Sequence, residues 1–264
     1  MSNPVRWPSE AIWQAVEPNL PGFSVEVLPS IDSTNSELMR RARLGRTDPV
    51  LLVAELQTAG RGRMGRQWQS GTDQTVLTFS LGLLLAPQDW SGLSLAVGLS
   101  VAKCLHPDIR LKWPNDLWWK QRKLAGILIE TAGSGEARLG RYVVLGIGLN
   151  IAMPEALGLS TPPVGLSELL PGVDAPSALA RLVSALIDTV KVFELHGFSP
   201  FQADFNARDA LHGVTVELSD GTQGVALGVD RVGALLVQTA QGLVPVSSSE
   251  VSVRPGSGGN GSNS

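Results

Sequence analysis

Three arginines alternate with three glycines in Gly60-Arg61-Gly62-Arg63-Met64-Gly65-Arg66, directly after Gln57-Thr58-Ala59. Glycine lets the main chain approach a ligand closely, and consecutive amides in such a turn can cradle an anion. Arginine adds a planar, permanently charged fork of donors suited to phosphate and carboxylate. Arginine–glycine tracts also occur in RNA-binding segments, but those run longer in disordered sequence. This one is bounded by the apolar run Val50 to Leu56 and by Trp68, so the anion-site reading is preferred.

A second segment, Leu111-Lys112-Trp113-Pro114-Asn115-Asp116, is followed closely by Lys123-Leu124-Ala125-Gly126-Ile127-Leu128. Two lysines, an amide and a carboxylate fall at strand ends or in the turns between strands, where open sheets place ligand groups. Lysines near a phosphate-binding loop are natural electrostatic stabilisers. Arg122 alone reads as a routine surface charge. A third run, Gly146-Ile147-Gly148-Leu149-Asn150, ends an apolar strand with glycines and an amide, and suits tight packing as well as ligand contact.

The elements that must position these groups follow from periodicity. Val25 to Leu28 and Val50 to Leu56 read as strands, with a helix over Ser33 to Arg43 capped by Asp32 or Ser33. Thr75 to Leu85 alternates and then turns continuously apolar, as expected of a central strand. Leu93, Ala96, Val97, Ser100 and Val101 recur at helical spacing in a helix that must stop before His106-Pro107. A strand over Ile109 to Trp113, a hairpin from Leu117 to Glu130 and a strand over Tyr142 to Ile151 come next. The longest helix is predicted over Ala178 to Leu195, with Gly197 as its stop. After Gly213, short apolar runs separated by Asp220-Gly221, Gly233 and Gln241-Gly242 suit a small β-barrel.

Composition restricts the classes. The 264 residues carry 21 basic and 24 acidic side chains, a net charge of −3, so anion binding must come from local clusters. A single cysteine, Cys104, excludes an intrachain disulfide and reads as core. No apolar run approaches the roughly 20 residues needed to span a bilayer, and Met1 to Pro8 carries no secretory signal. A cytoplasmic protein without membrane contact is expected. His106, His196 and His212 lack metal-ligand spacing, so no protein metal centre is expected. Asp204 and Asp209 read as solvated, and Trp118 and Trp119 as hairpin packing. Exposed strand edges permit a homodimer without requiring one.

Asp32-Ser33-Thr34-Asn35, the arginine–glycine loop, the Lys112 to Asp116 run with its Lys123 to Leu128 partner, and Gly146 to Asn150 occur in this order. That order resembles the biotin–protein ligases over about residues 25 to 254. The resemblance implies an α+β fold, a mixed sheet flanked by helices and similar to class II aminoacyl-tRNA synthetases, with a small C-terminal SH3-like barrel. It places the catalytic domain at residues 1–212, the barrel at 213–255 and a disordered tail at 256–264. The implied reaction uses ATP and Mg²⁺ to convert biotin to biotinyl-5′-AMP and then biotinylates a lysine of a biotin carboxyl carrier protein.

The implied site is specific. Ser33, Thr34 and Gln57 resemble the polar groups around the biotin ring, with Asn35 closing the helix start and Gly60 and Gly62 giving backbone access. For Ser33 and Thr34 the alternative is helix capping alone. Arg61 and Arg63 resemble the arginines that close over the biotin carboxylate and the α-phosphate. Lys123 resembles the lysine on the reacting oxygens, Lys112 stabilises charge nearby, and Asp116 acts through Mg²⁺ or on the incoming lysine. Arg66, Asn115 and Asn150 fall on the nucleotide side, and Trp68 either packs on the nucleotide or anchors the loop.

Three rivals remain at this level. A lipoate ligase or octanoyl transferase would share the fold, although the arginine–glycine and Lys-Trp-Pro-Asn-Asp runs match the biotin enzymes better. A biotin-responsive repressor would need a DNA-binding domain, and only about 30 residues precede Asp32, so no nucleic-acid partner is expected. An inactive carrier-binding scaffold would release no pyrophosphate.

Overall fold

Alternation of apolar with small or polar residues divides the central sheet into two unlike faces. A computed structural model describes residues 5–69, 75–133, 140–153, 161–219, 221–247 and 254–255; the expected tail at 256–264 and the Asp220 half of one turn lie outside them. In chain order the elements are α1 (Ser9–Val16), β1 (Ser24–Leu28), α2 (Thr34–Arg43), β2 (Val50–Ala54), β3 (Val76–Leu85), α3 (Leu93–Leu105), β4 (Arg110–Lys112), β5 (Asp116–Trp119), β6 (Arg122–Ala132) and β7 (Arg141–Asn150). They continue with α4 (Ala175–His196), α5 (Gln202–Arg208), β8 (Thr215–Glu217), β9 (Gln223–Val229), β10 (Leu235–Thr239), β11 (Gly242–Val246) and β12 (Arg254–Pro255).

The main sheet has seven strands in the order β1-β2-β3-β7-β6-β5-β4. Only β1 and β2 pair in parallel; the other neighbours are antiparallel, which makes the sheet mixed. On one face Leu77, Phe79 and Leu81 of β3, Leu145, Ile147 and Leu149 of β7 and Ile127 of β6 join residues of α1, α3 and α4 in one core. On the other face, Leu38 and Met39 of α2 pack with Val50, Leu52, Tyr142 and Val144 at one end only. The rest of that face carries Thr78, Ser80, Gly126, Gly146, Gly148 and Asn150 with Leu128 and Glu130 of β6, too few large apolar side chains to build a second core.

The helices end where local chemistry dictates. Ser33 caps α2, its side chain accepting from the Ser36 amide at 3.4 Å. In α4, Asp174 and Ser177 form a reciprocal capping box and Gly197 ends the helix at φ 64°, three residues earlier at the start than periodicity predicts. The predicted stripe of Leu179, Leu182, Val183, Leu186 and Val190 is buried in full. Neither α1 nor α5 is anticipated from the sequence, because each is short and buries few side chains: Ile12 and Val16 in α1, Phe205 in α5.

The C-terminal segment forms a five-stranded antiparallel sheet in the order β11-β10-β9-β8-β12, in keeping with the SH3-like expectation. Its Val216, Ala226, Val229, Leu235 and Val237 belong to the same core as α3 and α4. Polar bonds join the two sheets: Trp113 Nε1 donates to Gly233 O at 3.1 Å, and Asn206 exchanges bonds with both backbone groups of Val229.

Two expectations about carboxylates separate here. Asp204 is exposed and paired with Lys103. Asp209, expected in solvent, instead lies largely buried where the chain leaves α5 and runs beside Leu111 of β4. Its Oδ1 accepts from the Leu211 amide at 2.8 Å, while its Oδ2 is buried without a partner among the described residues. The apolar neighbourhood that covers it comes from tertiary packing, which a local reading of Arg-Asp-Ala cannot register. Cys104 is half-buried against the core, and burial raises its thiol pKa. Trp118 is buried and Trp119 lies between Lys120 and Arg122 at 4.2 and 5.5 Å, so both pack in the hairpin as expected.

Candidate active site

The small-residue face of the sheet receives the start of α2. Thr34 and Asn35 are buried there, with Ser33 at the helix boundary. The Thr34 amide donates to Gln57 Oε1 at 2.7 Å, and its hydroxyl lies 3.1 Å from the same atom, which joins two of the predicted residues directly. Asn35 does more than close a helix. Its Nδ2 donates to Leu128 O at 3.2 Å and to Glu130 Oε2 at 3.0 Å, and its Oδ1 accepts from Ser80 Oγ at 2.6 Å. Ser80 also lies 2.7 Å from Thr34 Oγ1. The Ser33 hydroxyl is engaged as the cap, as its alternative reading has it.

Ser80 and Glu130 are site-lining residues that sequence reasoning missed. The available signal was the alternation Thr78, Ser80, Gly82 within an otherwise apolar strand, since polar side chains at every second position mark a face that does something other than pack.

Above this face the arginine–glycine segment folds into a closed loop. Gly62 N donates to Arg66 O at 2.7 Å, Trp68 N donates to Gly60 O at 2.9 Å, and Arg61 pairs with Gln67. The turn needs left-handed backbone at Met64 (φ 55°) and Gly65 (φ 73°). Arg63 is half-buried; burial lowers its pKa from the ordinary guanidinium value, Asp116 opposes that and Arg66 adds to it. Arginine is permanently charged, and Asp116 is near enough for its charge to favour that state. Arg61 is half exposed and its Nη1 meets Glu130 at 3.0 Å. Met64 and Arg66 stand at the exposed rim.

Trp68 brings the loop down on the sheet. A Cβ at Gly148 would lie 2.2 Å from its indole and one at Gly126 would lie 3.3 Å away, so the glycines of β7 and β6 exist at these positions to admit the ring. Gly146 likewise makes room for Asn35, whose Oδ1 would be 2.0 Å from an added Cβ. The indole Nε1 is buried with no partner among the described residues. Lys123 Nζ lies 5.8 Å from the ring centre and 2.7 Å from Asp116 Oδ1.

The turn between β4 and β5 completes the wall. The Trp113–Pro114 peptide bond is cis. Asn115 Nδ2 donates to Ile127 O at 2.7 Å and Asn150 Nδ2 donates to Lys123 O at 3.2 Å, so both predicted nucleotide-side amides brace β6, the strand that carries Lys123. Lys112 lies over the Trp118 ring at 4.7 Å. Thus Arg63, Lys123, Asp116 and Trp68 meet around one spot, Ser33, Thr34, Asn35 and Gln57 around a second beside it, and Arg61 lies between the loop and the second group.

A half-buried arginine and a lysine–aspartate pair over a glycine-floored sheet are groups suited to anionic small molecules. Residues 27–150 match the Biotin/lipoate A/B protein ligase family and residues 213–254 match the Biotin protein ligase C terminal domain. The chain is 35% identical over 246 residues to the Bifunctional ligase/repressor BirA of Escherichia coli, covering 89% of this chain and 75% of that one. It is 37% identical to the Biotin--[acetyl-CoA-carboxylase] ligase of Mycobacterium tuberculosis, covering 86% of this chain and 88% of that one. Among solved structures, the biotin protein ligase from Aquifex aeolicus in complex with biotin and ATP aligns with a TM-score of 0.73 at 28% identity, covering 88% of this chain and 98% of that one. The chain belongs to the biotin protein ligase family.

Proposed function

We propose that the protein activates biotin with ATP to biotinyl-5′-AMP and transfers the biotinyl group to a lysine of the biotin carboxyl carrier protein of a carboxylase. The observation that carries this reading is the convergence of half-buried Arg63 with the Lys123–Asp116 pair over the glycine floor of β6 and β7. In the first step a biotin carboxylate oxygen attacks the α-phosphorus of ATP, the bond to pyrophosphate breaks, and a mixed anhydride forms. Two anions must meet, and the residues that offset their repulsion are the permanently charged Arg61 and Arg63 and the ammonium of Lys123, with Gly60 and Gly62 keeping the loop backbone close. In the second step the neutral carrier amine attacks the acyl carbon and AMP leaves, so no nucleophile of this chain is required.

Roles follow from placement. Thr34, Gln57 and Asn35 orient the ring of biotin, with Ser33 holding the helix end beneath them. Lys123 serves the reacting oxygens, Lys112 adds positive potential, and Arg66 with Trp68, Asn115 and Asn150 forms the nucleotide side. Trp68 and the glycine floor beneath it give that side a ring-sized wall. Mg²⁺ brought with the nucleotide would neutralise phosphate charge. Asp116, one of whose oxygens pairs with Lys123, would be the ion's protein contact or would act on the incoming carrier lysine.

The same reading includes a catalytic unit at 1–212 and a C-terminal unit at 213–255 and action in the cytoplasm on the carrier rather than on nucleic acid, and it permits a homodimer through an exposed strand edge without requiring one. Lys123→Ala tests the first step: pyrophosphate release should fall at least about a hundredfold, with carrier binding intact. Pyrophosphate release at the wild-type rate would refute the role of Lys123.

A further inference from the structure

We propose that Glu130 is a positioning residue for the reaction, holding the Arg61 guanidinium in place for the substrate carboxylate. The inference rests on the reading of Arg61 given above. An acidic side chain beside an anion site is unexpected on electrostatic grounds, since its charge repels the ligand the site must gather. Its surroundings explain why it is there.

Arg61 sits between Gly60 and Gly62 and its side chain is half exposed, so neither its backbone neighbours nor close packing fixes the guanidinium. A free arginine side chain samples many rotamers, and ordering it at binding costs affinity. In the structure its Nη1 straddles both carboxylate oxygens of Glu130, at 3.0 Å from Oε1 and 3.2 Å from Oε2, and approaches Ser36 Oγ at 3.5 Å. That contact uses one terminal nitrogen; Nε and Nη2 carry the donors suited to a carboxylate.

Glu130 is itself immobilised. It lies on β6 opposite Val144 of β7, and its Oε2 accepts from Asn35 Nδ2 at 3.0 Å. Asn35 is buried and tied to Ser80 and to Leu128 O, so the chain Ser80, Asn35, Glu130, Arg61 carries the rigidity of the sheet out to the loop. Pairing with Arg61 also cancels the charge that would otherwise oppose the substrate.

The test is steady-state pyrophosphate release with biotin varied, in the full chain and in Arg61→Ala, Glu130→Gln and the double variant. Glu130→Gln keeps an acceptor for Asn35 while removing the ion pair, so the fold should survive, and thermal melting checks that it does. Arg61→Ala should raise the KM for biotin. Glu130→Gln should raise it about two- to fivefold, as expected from loss of a partly exposed ion pair, with the KM for ATP unchanged and no further effect in the Arg61→Ala background. A wild-type or lowered biotin KM in Glu130→Gln, or an effect that persists in full without Arg61, overturns the proposal. An unchanged biotin KM in Arg61→Ala removes the role of Arg61 itself, and the proposal with it.

Discussion

Arg63 and Asp209 show how burial sets the work of a single charged group. Arg63 keeps its charge while losing water, and a desolvated cation interacts with a developing phosphoryl charge far more strongly than a surface one. Arg63→Ala should lower adenylate formation about a hundred- to a thousandfold, read as biotinyl-5′-AMP per minute by mass spectrometry; retention and formation at wild-type levels would contradict this. Asp209 makes a prediction about stability. Its carboxyl is pushed up from 3.8 to about 6, chiefly by burial, with the Leu211 amide and His212 opposing. The folded state therefore binds this proton more tightly than the unfolded chain, and stability is greatest below the ordinary carboxylate range and declines as pH rises through about 6. Asp209→Asn should raise the melting temperature at pH 8 but not at pH 4, the difference amounting to about 2–3 kcal/mol. Equal shifts at both values would show that Asp209 does not titrate in this way. The chemistry of Arg63 was legible because its glycines and neighbours are consecutive in sequence. The burial of Asp209 was not, because it depends on β4 and α5, which are about a hundred residues apart.

At the scale of elements, the site exists because β3, β6 and β7 alternate two incompatible sets of side chains. Large aliphatic residues face α3 and α4, and mostly glycine, serine, threonine and asparagine face the site, with Leu128 and Glu130 from β6. The run Gly146 to Asn150 read equally well as tight packing or as ligand contact, and in the structure Gly146 and Gly148 serve packing, admitting Asn35 and Trp68 at distances that no Cβ allows. Gly148→Ala should displace the Trp68 indole and cut adenylate formation at least about tenfold through misplacement of the loop, with the far-ultraviolet circular dichroism spectrum unchanged. Full activity would mean that Trp68 is not part of the site. Strand and long-helix positions were readable because each spans several periods of one pattern. The starts of α4 and the existence of α1 and α5 were not, since their signals are a capping box of two side chains and single turns of apolar spacing.

The whole molecule joins two sheets through one continuous core, with Trp113 as the side chain common to the turn between β4 and β5 and the C-terminal sheet. Trp113 precedes Pro114 and Asn115, so the bond to Gly233 O holds the wall of the site against the smaller sheet. Trp113→Phe keeps most of the apolar contact and leaves a carbonyl unpaired, at a cost of about 1–2 kcal/mol, visible as a lower midpoint in urea; an unchanged midpoint would show that the bond contributes nothing. The small sheet was recognisable from its turn residues, while its fusion to the α3 and α4 core was invisible in a linear reading. Whether this assembly joins biotin to AMP is read directly by offering biotin or lipoate separately with ATP and Mg²⁺ and weighing the product. Biotinyl-5′-AMP with equimolar pyrophosphate from the biotin reaction, and no adenylate from lipoate, is the predicted result. Lipoyl-AMP alone, or no adenylate from either acid, would contradict it.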